Sequence, residues 1–370
     1  MASEEIIPLE QLLAAISEES PVGRDIRDDD EQDSLYQAIK DARIAARSAE
    51  RNNMFDNDNS EADAQWRKII ELAPDILLHH TKDLEIACWF TEALVRRYGF
   101  QGLRDGFKLI EGLIDSFWDG LYPLPDEDGI ETRVASLTGL NGEGAEGVLI
   151  TPIRNVSLTE GSDPGPFNYW KYQQVVEVEK IIDEETRSER ASRLGFNIDD
   201  VDRAVAESSE TFFIDINDDL SEAIATYRRI GALLDQHCGI NDSPPSSNII
   251  NILEACLGTI RHIGKHKIPE RQNDANENDE SATPDALKTD ENQLKAATGE
   301  VRTRDEAFKQ LLEISQFFRK TEPHSPISYM LERVVKWGDL PLDSLIRELI
   351  PDSSARDYYG SLTGIRTDDD

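Results

Sequence analysis

The 370-residue chain has few cysteines, few aromatic residues and no long apolar run. Three cysteines are too few for a disulfide framework, and the odd number suits a reducing compartment. No apolar stretch approaches the roughly 18 residues of a transmembrane helix. The opening residues, MASEEIIPLEQLLAAI, lack the basic segment of a secretory signal. These absences predict a soluble, cytoplasmic protein.

Basic residues are also scarce, because 39 Lys and Arg stand against 74 Asp and Glu, giving a formal net charge of -35. A charge of this size repels phosphate backbones and anionic lipid surfaces. No basic run along the sequence is large enough to offset it. We therefore expect no nucleic-acid partner and no membrane insertion.

Apolar residues recur at three- and four-residue spacing through most of the chain, as in amphipathic helices. One stripe runs over Leu84–Tyr98, with Asp83 placed to cap the helix and Gly99 to end it. A second stripe runs over Leu103–Phe117. The short connection between them predicts an antiparallel helical hairpin.

The segment 147–158 has β character, and Pro152 limits it to an extended edge or a short hairpin. The predicted fold class is therefore all-α, mainly helical and multi-domain, with at most a short β segment near 147–158.

Composition divides the chain into four parts. Residues 269–300 contain nine acidic and three basic residues and no aromatic residue. Such a segment cannot bury enough apolar area to offset the entropy of ordering it, which predicts a flexible acidic linker. We predict an N-terminal helical domain at 1–160, a helical middle region at 161–268, the linker, and a C-terminal helical module at 301–370.

The C-terminal module presents three short apolar helix faces in roughly 70 residues, a size at which a single core is marginal. Association with further copies is a common way to stabilise such a module. We therefore predict a homo-oligomer, with an interface drawn from the apolar residues of these faces. The predicted interface residues are Phe317, Phe318, Met330, Leu331, Val334, Trp337 and Leu345.

Two patterns resemble ligand sites but lack the required context. Gly142, Gly144 and Gly147 form a literal G-x-G-x-x-G, but no helix is predicted to follow, and the two glutamates between them would repel a pyrophosphate. His262 and His266 could share a helix face, but lysine and arginine neighbours repel a metal ion. We predict no catalytic, cofactor or metal site.

The residues alone thus favour a non-enzymatic, all-helical interaction protein. Two alternatives remain open. One is an α-helical hydrolase that uses a buried carboxylate pair. The other is a monomeric helical adaptor, although the sequence has no fixed repeat period.

Several short segments resemble the ImpA-type N-terminal domain that defines the TssA family of the bacterial type VI secretion system. Further segments near the C-terminal end resemble the short class of the same family. Both sets occur in the expected order. They are SPVGRDIR at 20–27, WRK at 66–68, TKDL at 81–84, CWFTEAL at 88–94, GFQGLRDG at 99–106, FWDGLYP at 117–123, then RDEA at 304–307, EPHSP at 322–326, LER at 331–333 and VKW at 335–337.

The resemblance implies a cytoplasmic assembly protein at the secretion apparatus that is docked to the inner membrane. It implies a ring-like homo-oligomer built by the C-terminal region, N-terminal domains that project outward, and partners among the baseplate, tube and sheath proteins. It transfers no catalytic residue. The length of the chain favours a role at the baseplate over a role at the sheath end.

Overall fold

The structure, a computed structural model, describes most of the first three quarters of the chain and parts of the rest. The chain divides into two compact units, Met1–Asp279 and Glu280–Asp370. The described residues are 3–28, 34–52, 59–127, 129–161, 163, 165–239, 242–269, 308–309, 311–312, 314–316, 319, 327–338 and 345.

The described part of the first unit is built from α-helices, which confirms the predicted fold class. A 3-10 turn over Ile26–Asp28 follows the first of them. The helices are α1 (Leu9–Leu12), α2 (Leu35–Asn52), α3 (Ser60–His79), α4 (Leu84–Phe117), α5 (Glu131–Asn141), α6 (Ile150–Asn155), α7 (Tyr169–Glu179), α8 (Glu184–Leu194), α9 (Ile198–Glu207), α10 (Glu210–Cys238) and α11 (Ser247–Ile263).

Helix α4 folds back on itself at Gly99, whose φ of 60° and ψ of -137° are not helical. A Cβ atom placed on Gly102 would lie 2.3 Å from the carbonyl oxygen of Leu94, and one on Gly106 would lie 2.5 Å from Oγ1 of Thr91. In a straight helix, residues fifteen apart are separated by about 22 Å. The two halves of α4 therefore form the predicted antiparallel hairpin.

A continuous hydrophobic core joins this hairpin to helices from later in the chain. The ring of Phe107 on α4 lies 4.7 Å from that of Tyr227 on α10, and Cys256 on α11 is fully buried in the same core. The core thus includes residues on both sides of the boundary predicted at residue 160. The division into an N-terminal domain at 1–160 and a helical middle region at 161–268 stays a prediction.

Helices α7, α8 and α9 form a smaller lobe with a separate core. Phe167, Val175, Val201 and Ala204 are buried in it. Helix α8 contributes no buried residue.

Residues 150–155 form the short helix α6 rather than the extended segment expected near 147–158. Ile150 and Ile153 are both buried, since a three-residue spacing places them on one helix face. Pro152 lies in the first turn, where a backbone N–H has no intrahelical acceptor, so its missing N–H costs nothing there. The apolar run was therefore compatible with an extended segment and with a helix. The helix is favoured because it buries Ile150 and Ile153 together in the core.

The described part of the second unit is helical as well. Residues 308–309, 311–312, 314–316 and 319 are helical, and α12 spans Ile327–Gly338. The hydroxyl of Ser315 donates a hydrogen bond to the carbonyl oxygen of Ser328 at 3.0 Å, and Arg319 pairs with Glu332 at 2.9 Å. Two helical segments of the predicted C-terminal module therefore pack together. The acidic linker, apart from Pro269, lies outside the described residues.

Candidate interaction surfaces

Three of the segments that carry the family resemblance meet through backbone hydrogen bonds. The N–H of Lys82 donates to the carbonyl oxygen of Val22 at 2.8 Å, and the N–H of Tyr122 donates to the carbonyl oxygen of Lys82 at 3.0 Å. Gly23 has a φ of 75°, and a Cβ atom there would lie 2.1 Å from the carbonyl oxygen of His80. Only glycine fits this crossing, which explains its place in the motif.

A cluster of charged side chains lies beside this crossing. The guanidinium of Arg27 contacts Asp83 at 2.6 Å and Glu85 at 2.6 Å, and the hydroxyl of Tyr36 donates to Glu85 at 3.2 Å. Burial raises the pKa of Asp83, and the positive charge of Arg27 opposes that shift. Burial, together with the charge of Glu85, raises the pKa of Tyr36 to about 12. Arg27, Asp83, Glu85 and Tyr36 are thus all paired with one another, so the cluster holds the fold together.

Lys82 is fully buried next to the same crossing. Its Nζ donates hydrogen bonds to the carbonyl oxygens of Leu12 and Leu77, both at 2.7 Å. Burial lowers the pKa of Lys82 to about 8. The amine therefore joins the ends of α1 and α3 to the start of α4.

A second buried network ties the beginning of the chain to α4 and α10. Arg104 donates to Asp219 at 2.6 Å and to the carbonyl oxygen of Ser3 at 2.7 Å. The hydroxyl of Ser3 donates to the other oxygen of Asp219 at 2.5 Å. The N–H of Ile6 donates to Asp105 at 2.7 Å.

Five arginines lie along the contact between α2 and the first half of α4, and we call this row the arginine seam. Arg43 pairs with Glu92 at 2.6 Å and Arg96 pairs with Glu50 at 2.6 Å. Burial lowers the pKa of Arg47, and the neighbouring arginines add to that effect. The members of the seam are Arg43, Arg47 and Arg51 on α2 and Arg96 and Arg97 on α4.

The seam opens onto a groove of about 1120 Å³ at the turn of the α4 hairpin. Its walls come from α2, α3, α4, residues 146–157 and the start of α10. The lining includes four of the five seam arginines, all except Arg43, and an apolar part made of Tyr98, Val156 and Phe212. We call this feature the seam groove.

The sequence did not indicate the arginine seam, because its five arginines form no basic run along the chain. The one available signal was the spacing of Arg43, Arg47 and Arg51, which four-residue steps place on one helix face. The contribution of α4 depends on how two distant helices pack.

The structure describes five of the seven predicted interface residues. Met330 and Val334 are exposed on α12, at 50% and 38%, whereas Leu331, Trp337 and Leu345 are half-buried. Phe317 and Phe318 lie outside the residues whose side chains are described. The role of these seven residues at an interface stays a prediction.

The glycine pattern 142–147 is a loop between α5 and α6, not the turn between a strand and a helix that a dinucleotide site needs. Among the described residues, His, Cys, Asp and Glu form no group of three that could hold a metal ion. In the part of the chain that the structure describes, no helix combines the length and apolar character required to cross a membrane.

The hydrolase alternative would need two convergent carboxylates free to react. Asp215 and Asp219 both line the seam groove, and burial raises the pKa of Asp215. Both oxygens of Asp219, however, are occupied by Arg104 and Ser3. The structure therefore does not favour this alternative.

Comparisons with known proteins agree with the motif segments. The family model for the N-terminal region of ImpA, from the type VI secretion system, matches residues 13–142. The type VI secretion system component TssA1 of Pseudomonas aeruginosa is 26% identical, over 92% of this chain and 94% of that protein.

A solved structure of the N-terminal domain of the TssA component from Burkholderia cenocepacia, which includes the conserved ImpA N-terminal region, is also similar. It has 26% identity and a TM-score of 0.57, and the match covers 72% of this chain and 98% of that one. The matched part, 72% of the chain, is longer than residues 1–160, so the similarity extends into the predicted middle region.

The helical fold, the meeting of the motif segments and these matches define a type VI secretion component with an ImpA-type N-terminal domain. The chain is similar to TssA components of this system over most of its length.

Proposed function

We propose that this protein is a non-enzymatic scaffold of the type VI secretion system. Copies assemble through the C-terminal module into a ring-like homo-oligomer in the cytoplasm, at the apparatus docked to the inner membrane. The larger helical unit engages baseplate, tube and sheath proteins. The names of its relatives support a place in the type VI secretion system, and the surface of α12 supports assembly into a homo-oligomer.

The observation that carries this proposal is the apolar surface of α12. Tyr329 is 60% exposed, and Met330 and Val334 are exposed beside it. On another face of the helix, Ser328 is buried against Ser315. A small helical module that leaves large apolar side chains in water gains stability when another copy covers them.

Trp337 supports the same proposal. Its Nε1 is buried and finds no hydrogen-bond acceptor within the part of the chain that the structure describes. Buried polar atoms in native proteins nearly always have a partner. A neighbouring copy packed on α12 could supply the acceptor.

A ring would also make weak contacts effective. Several N-terminal units held on one ring raise the effective concentration of each at a multi-copy partner complex. Contacts with the baseplate or sheath that are individually weak would then be sufficient to hold the partner complex.

The native mass of the full-length chain tests the proposal. We expect a high-order oligomer at micromolar concentration, and a shift toward monomer when Met330→Glu and Val334→Glu are combined, because two charges would then enter the apolar contact. Ile44→Glu with Leu124→Glu is the matched control, since both residues are exposed and apolar but lie in the first unit. The control should keep the wild-type mass by light scattering.

Two results would contradict the assembly proposal. A wild-type chain that remains monomeric at all concentrations would favour the monomeric helical adaptor. Trp66 is buried in the core of the first unit, so Trp337→Ala should weaken assembly more than Trp66→Ala does. The reverse order would place the interface outside α12.

A further inference from the structure

The arginine seam carries more positive charge than the carboxylates beside it neutralise. Arg43 is paired with Glu92 and Arg96 is paired with Glu50, the two glutamates that lie beside the seam. Among the described residues, no carboxylate lies within ion-pair distance of Arg47, Arg51 or Arg97. This excess is local, since the whole chain carries a net charge of -35.

Arg47 shows the effect of this crowding. It is half-buried, and the negative charge that acts on it is that of Glu92, which is already paired with Arg43. One oxygen of Glu92, Oε2, is buried without a hydrogen-bond partner among the described residues. Burial and three neighbouring arginines destabilise the charged form of Arg47. An added anion would relieve this repulsion.

The seam groove places apolar surface next to these charges. Tyr98 is 41% exposed and lines the groove with Val156 and Phe212. Five carboxylates line the groove, and Glu50, Glu146 and Asp219 among them are paired with Arg96, Arg154 and Arg104. Within the described part of the chain, three arginines without an ion-pair partner therefore face two carboxylates without one, Asp63 and Asp215. A ligand that fits must therefore bring acidic groups to one end and an apolar group to the other.

We propose that the seam groove binds an acidic peptide segment of a partner protein, with its carboxylates on Arg47, Arg51 and Arg97 and an apolar side chain against Tyr98 and Phe212. Arginine forks pair well with carboxylates. A long polyanion such as nucleic acid would meet the negative field of the rest of the molecule, whereas a short segment meets mainly the seam. This inference names a surface and a ligand chemistry that the scaffold proposal leaves open.

The test uses a random 12-residue phage-displayed peptide library selected on the full-length protein. We expect the enriched peptides to be rich in Asp and Glu around an aromatic or leucine residue. Synthetic copies should lose affinity, by about tenfold or more, when Arg51→Glu and Arg97→Glu are combined. Fluorescence anisotropy measures this, and binding should weaken as salt is added.

Matched variants separate this surface from general charge effects. Arg190→Glu with Arg193→Glu makes the same charge change on exposed residues of α8 and should leave peptide affinity unchanged. Arg47→Gln is a milder second variant, and a thermal melt of each variant verifies folding.

Four results would overturn the proposal: no enriched peptide, enrichment of non-acidic peptides, affinity insensitive to the seam variants, or a loss equal to that of the α8 control. Tight binding of a single-stranded oligonucleotide at the same groove would also overturn it. None of these results would change the native mass, so the scaffold proposal is tested separately.

Discussion

Asp83 performs two tasks with one buried carboxylate. Its Oδ1 accepts the N–H of Ile86 at 3.0 Å and so caps α4, and its Oδ2 contacts Arg27 at 2.6 Å. A helix cap contributes about 1 kcal/mol in general, while removal of one member of a buried ion pair costs about 3–5 kcal/mol. The position of Asp83 thus links local helix formation to the meeting of the motif segments.

Asp83→Ala is expected to lower the free energy of unfolding by about 3 kcal/mol or more, because it removes the cap and leaves Arg27 short of a partner. Asp183 provides the control, since it caps α8 through the N–H of Thr186 at 2.8 Å but is exposed. Asp183→Ala should cost clearly less than Asp83→Ala, because it removes a cap without breaking a buried ion pair. Urea denaturation measures both, and equal losses would contradict the double role of Asp83.

Lys82 predicts a pH dependence of stability. Its pKa in the folded protein, about 8, lies below the ordinary value of 10.5. Between these values the unfolded chain binds more protons, so the contribution of Lys82 to stability rises with pH. The free energy of unfolding of the wild type, relative to that of Lys82→Met, should therefore increase from about pH 7.5 to about pH 9.5. A constant difference in urea denaturation at fixed ionic strength would refute this.

At the scale of single elements, residues whose local chemistry suits one structure were predictable. Segments whose sequence suits both a helix and a strand were not. Asp83 as a cap and Gly99 as a helix end follow from local chemistry, and both are confirmed. The segment at 147–158 failed because its apolar residues suit a strand and a helix equally. Pro74 lies inside α3, and the helix continues past it to His79.

The close approach within α4 gives a prediction at the same scale. Gly102→Ala should destabilise the protein by about 2 kcal/mol, because the new Cβ would overlap the backbone at Leu94. Gly139→Ala in α5 is the control, since nothing lies within 4 Å of a Cβ placed there. It should stabilise the protein by about 0.5–1 kcal/mol through lower chain entropy. Thermal unfolding of both variants tests the pair, and a tolerated Gly102→Ala would contradict the hairpin packing.

At the scale of the whole molecule, sequence patterns indicated the helical class and the family, but not the seam groove. The groove forms where α2, α3, α4 and α10 meet, and such meetings depend on packing between residues far apart in the chain. The buried Arg104 cluster was missed for the same reason, because its partners Ser3 and Asp219 lie 216 residues apart in the chain.

The anchoring of Ser3 has a practical consequence for experiments on living cells. The N–H and hydroxyl of Ser3 donate hydrogen bonds to Asp219, and its carbonyl oxygen accepts one from Arg104. A fluorescent protein or affinity tag fused ahead of Ser3 without a spacer would pull on this anchor and loosen α10 from α4. Reporters for imaging should therefore be inserted elsewhere, or be separated from Ser3 by a long flexible tether.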